Sequence, residues 1–89
     1  MKTVVITGSS KGIGLGMAKE FLKRGCNVVM SSYAPEEMAA EFIKAQAEFG
    51  EDKVAAQACD VTDIDQLRAL WDVASEKFGP VDIWMNNAG

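Results

Sequence analysis

Residues 3–14 read TVVITGSSKGIG. Thr3 to Thr7 is a run dominated by β-branched side chains, which favour extended backbone. Gly8-Ser9-Ser10-Lys11-Gly12 breaks it, and Ile13, Met17, Phe21 and Leu22 then recur at helical spacing as far as Lys23-Arg24. Gly25 suits the left-handed position after a helix, and the basic last turn suits the helix dipole. The stretch therefore predicts a strand, a glycine-rich turn and a helix. That order puts unpaired N–H groups and the positive end of a helix dipole beside glycines, which allow close approach of an anion.

The same alternation continues outward. Asn27 to Ser31 is a second apolar run. Pro35, with Glu36 and Glu37 behind it, opens a second helix, whose stripe is Met38, Phe42, Ile43 and Phe49 and whose end is Gly50. Lys53 to Cys59 is a third and weaker strand. Thr62 is placed to cap a third helix over 63–78, with Leu67, Leu70, Trp71, Ala74 and Phe78 on one face. Gly79-Pro80 stops it, and Val81 to Met85 reads as a fourth strand. The pattern β-α-β-α-β-α-β predicts an α/β fold with a parallel sheet and crossover helices. Right-handed crossovers give the strand order 3-2-1-4, half of a doubly wound, Rossmann-like layout. The first two helices then share one sheet face. The third lies alone on the other, too little to cover four strands.

Composition narrows the functional classes. The chain has 89 residues, a net charge of −4, and no Lys/Arg run longer than two. No basic surface for nucleic acid or an anionic membrane is expected. No apolar stretch has the length of a spanning helix, and the first residues turn polar too soon for a signal peptide. A cytoplasmic location is the default expectation. With no histidine and two cysteines lacking CxxC spacing, no metal site is expected. Cys26 and Cys59 fall at opposite ends of parallel strands, about 17–20 Å apart at ~3.3 Å per residue, beyond disulfide reach.

Thr7 to Gly14 has the spacing G-x-x-x-G-x-G rather than G-x-G-x-x-G. Together with Asp60-Val61 after the third strand and Asn86-Asn87-Ala88-Gly89 after the fourth, it resembles the short-chain dehydrogenase/reductase family. The matching motifs are T-G-x-x-x-G-x-G, D-V and N-N-A-G, in the right order on the right elements. The resemblance covers the whole chain but only the first part of the family's domain. It implies that Gly8, Gly12, Ile13 and Gly14 line the pyrophosphate and nicotinamide side of a dinucleotide, with Ser10 and Lys11 completing the loop. It implies that the Asp60 carboxylate accepts from the adenine amino group, with the Val61 backbone beside it. It implies that Asn87 fixes the central strands and that Ala88 and Gly89 pass near the cofactor ribose. A plainer reading stands beside each: Asp60 starts a turn, and the asparagines close a strand.

NAD-preferring relatives resemble one another in carrying an acid where the second strand ends. Here the end reads Ser31-Ser32-Tyr33. With Ser32 in that place, a 2′-phosphate is not repelled, and Lys11 and the Ser32 hydroxyl are placed to meet it. NADP is favoured over NAD. Tyr33 weakens the case, because NADP-preferring relatives often carry Arg there.

The family's chemistry, hydride transfer between NAD(P)H and a ketone or alcohol, uses Tyr-x-x-x-Lys with a serine. Tyr33 is this chain's one tyrosine, and Glu37 stands four residues on. A carboxylate there raises a phenol's pKa rather than lowering it. No catalytic residue is assigned, and the chain is expected to be the cofactor-binding half of a reductase, inactive alone. The alternatives are a standalone nucleotide-binding module and a self-associating remnant without ligand. A bare fourth-strand edge and the apolar face of helix 63–78 make a homo-oligomer the expected state.

Overall fold

The computed structural model describes residues 2–87. The expected alternation is present: β1 (Thr3–Ile6), α1 (Gly12–Lys23), β2 (Asn27–Ser32), α2 (Pro35–Phe49), β3 (Val54–Ala58), α3 (Ile64–Phe78) and β4 (Ile83–Met85). The strands form one parallel sheet in the order β3-β2-β1-β4. β1 is central: Ile6 lies opposite both Met30 of β2 and Met85 of β4.

Each strand alternates its side chains between the two faces. Val4, Ile6, Val28, Met30 and Val54 pack on one face against Ala18 and Leu22 of α1 and Ala45 of α2. Val5, Val29 and Ala55 pack on the other against Leu70 and Ala74 of α3. Both faces of the inner strands are thus dry, which is why these strands read as continuous apolar runs. The cysteines are free, and they pack on opposite faces, Cys26 with the first cluster and Cys59 with the second.

Several details depart from the sequence reading. One helix covers more than expected, because Val5 and Val29 are fully buried beneath α3. The contact residue Ala74 is small, as is Ala55 across from it, so the helix can approach closely. Both edge strands stay partly open, β3 toward its end and β4 along its length; beside β4, Trp71 is 49% exposed and stacks on Trp84 with ring centroids 5.9 Å apart. Ile13 and Ile43, assigned to apolar stripes, are 77% and 64% exposed. The inward positions are held by Gly14, Ala18 and Leu22 on α1 and by Met38 and Ala45 on α2.

The cap of α3 is Asp63, not Thr62. The Asp63 carboxylate accepts from the N–H groups of Asp65 and Gln66. The regular β4 ladder also begins later than expected, at Ile83, with Asp82 joining β1 at both ends: its N–H donates to Thr3 O at 3.0 Å and its Oδ2 accepts from Thr3 N at 2.8 Å. Among the described residues no helix is long and apolar enough to cross a membrane.

Candidate dinucleotide site

The carboxyl ends of the strands, where the order reverses between β1 and β4, are where doubly wound sheets place ligands. The chain leaves β1 into residues 7–11, which cross the tops of three strands. Gly8 and Gly12 both have positive φ, +63° and +62°, a conformation that strains an L side chain. Gly14 has a different reason to be glycine. A Cβ there would fall on the Gly8 carbonyl oxygen and lie 2.6 Å from Asn87 Nδ2. Only a bare backbone lets α1 start this close to the loop.

Side chains tie the loop on both flanks. Toward β2, fully buried Ser9 donates its N–H to Ser31 O at 2.9 Å, and its Oγ accepts from Ser31 N at 2.9 Å. One residue on, Ser10 Oγ donates to Ser32 Oγ at 3.1 Å, and Ala34 N donates to the same oxygen at 3.0 Å. Toward β4, Thr7 N donates to Met85 O at 3.0 Å, Asn87 N to Thr7 Oγ1 at 3.0 Å, and Asn87 Nδ2 to Gly8 O at 3.1 Å. At the helix itself, the N-cap Lys11 makes no side-chain capping bond, and the first turn holds no acid. The opening N–H groups of α1 are therefore left without a protein side chain as acceptor, and an anion fits that gap.

A cavity of about 540 Å³ runs from this loop across the end of β2 to the end of β3. Gly8, Ser10, Lys11, Ser32, Tyr33, Asp60, Val61 and Asn87 line it, so eight of the residues singled out from sequence meet in one place. Gly12, Ile13 and Gly14 do not line it. They sit at the start of α1, with Gly14 buried beneath the loop and Ile13 projecting outward. Ala88 and Gly89 lie outside the described residues. Tyr33 is 81% exposed at the rim, and Glu37, in the first turn of α2, shares the wall with it and Lys11. Among the described residues the ion pairs are Arg24–Glu20 and Lys44–Glu41, which leaves Lys11 and Glu37 unpaired.

At the far end, Asp60 starts a tight turn. Its Oδ1 accepts from Thr62 Oγ1 at 2.7 Å and Thr62 N at 2.9 Å. Those two bonds, the hydroxyl's first, hold the Asp60 carboxyl below its ordinary value. The plain reading, a turn starter, thus describes what Oδ1 does. Cys59 forms part of the floor, and burial pushes its thiol up, with the Ser31 hydroxyl pulling the other way. That contact with sulfur is the interaction open to Ser31 Oγ, which makes no hydrogen bond of ordinary geometry. The thiol is a neutral wall rather than a nucleophile. No cluster of three or more His, Cys, Asp or Glu side chains capable of holding a metal occurs among the described residues.

Three participants escaped the sequence reading: Ser9, the Thr7 hydroxyl and Gln66. The repeated Ser-Ser dipeptides were the available signal for the first. Residues 9 and 31, and 10 and 32, stand the same 22 positions apart and pair in register. A shallow apolar groove of about 320 Å³ between Leu67, Trp71 and Trp84 lies apart from this site.

This fold and loop define a nucleotide-binding α/β domain, and the comparisons with known proteins place it more narrowly. Residues 2–89 match the family model described as short chain dehydrogenase. The chain belongs to that family. It is 50% identical over 88 residues to 3beta-hydroxysteroid dehydrogenase 1 of Eggerthella lenta, covering 99% of this chain and 33% of that protein. It is 48% identical over 86 residues to chlorophyll(ide) b reductase NOL, chloroplastic, of Oryza sativa subsp. japonica, covering 97% of this chain and 25% of the relative. Among solved structures, a short chain dehydrogenase/reductase from Burkholderia phymatum in complex with NAD superposes with a TM-score of 0.88 at 29% identity, over 93% of this chain and 29% of that one. The chain spans about a quarter to a third of these proteins' length.

Proposed function

We propose that residues 1–89 form the dinucleotide-binding part of a short-chain dehydrogenase, that they take NADP in preference to NAD, and that they transfer no hydride alone. The observation that carries the reading is the uncapped start of α1 beneath a loop tied on both sides, with Gly14 backbone where any side chain would collide. Backbone N–H groups held in place beforehand suit a diphosphate, because no ordering cost remains to be met on binding. Gly8, Ser10, Lys11, Gly12, Ile13 and Gly14 hold the phosphates. Asp60 and Val61 take the adenine, and Asn87, with Ala88 and Gly89, borders the ribose. The bound nicotinamide supplies or accepts the hydride, and in the whole protein the partner is a ketone or alcohol.

The preference for NADP rests on Lys11 and Ser32. Ser32 Oγ accepts twice, from Ser10 and from Ala34 N–H, so its own proton is the one left to give to a 2′-phosphate. Lys11 adds an unpaired positive charge on the same wall. Glu37 opposes them from α2. Calorimetric titration with NADPH, NADH and ADP-ribose tests the whole reading. Tighter NADPH binding is expected, with no reduction of added ketones. Equal or tighter NADH binding overturns the preference, and no binding of any of the three overturns the site.

A specific observation also favours self-association: among the described residues β4 is an edge strand, and the half-exposed Trp71 stands next to that edge. We propose pairing of copies through the edge or the α3 face. A single monomeric boundary in sedimentation at micromolar concentration would defeat it.

A further inference from the structure

The β3 ladder runs out just before the base end of the cavity. Cys59 N still reaches Ser32 O at 3.0 Å, but Asp60 N–H has no strand opposite it. It donates instead to Gln66 Oε1, 2.8 Å away on the first turn of α3. The other half of that amide, Nε2, donates to Asp63 Oδ2 at 3.3 Å, and Gln66 N donates to Asp63 Oδ1 at 3.3 Å. Asp63 N closes the ring on Asp60 O at 3.0 Å.

Asp60 is thus held at both of its backbone polar groups, and Thr62 occupies its Oδ1. Among the described residues no hydrogen bond uses Oδ2. Asp60 and Gln66 are both exposed, and water replaces an exposed hydrogen bond at small net loss. The ring therefore contributes little to stability. Its physical effect is to fix direction.

We propose that Gln66 is a positioning residue for base recognition: by holding Asp60 N–H through Oε1, it aims Asp60 Oδ2 at the exocyclic amino group of adenine without itself lining the cavity. This rests on the dinucleotide reading above. Capping α3 does not require the Gln66 amide, because the Asp63 carboxylate does that. Of the amide's two polar atoms, Nε2 steadies the Asp63 carboxylate and Oε1 acts on Asp60.

The test compares NADPH with its hypoxanthine analogue, in which a 6-oxo group replaces the 6-amino group, on the 89-residue chain. Wild type should prefer the adenine form by about tenfold, the size of one hydrogen bond to a charged group. Gln66→Leu, which cannot accept, should erase most of that preference. Loss of a merely structural contact would weaken both dinucleotides alike and leave their ratio unchanged, and an unchanged ratio in Gln66→Leu overturns the proposal. A second measurement does not depend on ligand: titration of the Asp60 carboxyl by carbon NMR. It should move up toward the ordinary range in Gln66→Leu as the turn loosens, and identical titration in the two proteins overturns the hold on Asp60. A wild-type chain that binds neither dinucleotide overturns the cofactor reading itself, and the titration then decides the role of Gln66 in the turn.

Discussion

The glycine loop and the Asp60 corner face each other across one cavity and are built from opposite materials. At the loop, Ser9 and Ser10 are buried, their partners Ser31 and Ser32 are buried, and the bonds reach across 22 residues of chain. At the corner, Asp60, Thr62 and Gln66 are exposed, and their bonds span two to six residues. Buried polar groups lose much when a partner is removed, whereas exposed ones exchange a partner for water. The phosphate end of the site is therefore part of the fold's stability, and the base end is close to independent of it.

The sharpest way to break that contrast is Gly14→Ala. The added methyl carbon would land on the Gly8 carbonyl oxygen, and a loss on the order of 3 kcal/mol is expected from overpacking against backbone. Urea unfolding of the chain measures it. A variant as stable as wild type would show that the loop yields, and would remove the claim that it is held. Ser9→Ala comes next. It leaves the buried Ser31 N–H without its side-chain acceptor, at about 1–3 kcal/mol, read from the same unfolding curves. A negligible change would place the loop in the same soft class as the corner.

Thr62→Val should have the smallest effect. It removes the hydroxyl that holds the Asp60 carboxyl low, so that carboxyl should titrate closer to its ordinary 3.8. A depressed carboxylate lends stability that is present above its unfolded-state value and lost as pH falls through its folded-state value. Any stability gap between wild type and Thr62→Val should therefore be seen at neutral pH and close in acid. A gap that widened on acidification would contradict the assigned sign.

The difference between the two ends also explains what could be read beforehand. Strand order followed from the β-α alternation and crossover handedness, which are global constraints carried by Val-rich runs and by glycines at helix ends. The glycine loop followed from spacing. The Ser9–Ser31 tie did not, because serine is ordinary in a turn and nothing local marks one as a strand's surrogate partner. The apolar stripe of α3 shows that Trp71 shares a face with Leu70 but not how much of that face the sheet covers, so the half-exposure of Trp71 is set by the width of the sheet. Thr and Asp are both good caps, and the choice of Asp63 over Thr62 depends on where Asp60 turns the chain. Gln66 was invisible because its partner is a backbone N–H freed only where β3 stops.

The central place of β1 has a consequence for assembly. Gly8 leaves the ribosome well ahead of Asn87, yet the amide that steadies its carbonyl belongs to Asn87, 79 positions later. Strands β1, β2 and β3 can pair as they emerge, while the loop waits for the far flank to arrive. During synthesis the edge of β1 that β4 will cover must therefore stay raw until the ribosome reaches Asn87, and this flank of the nucleotide pocket sets only then.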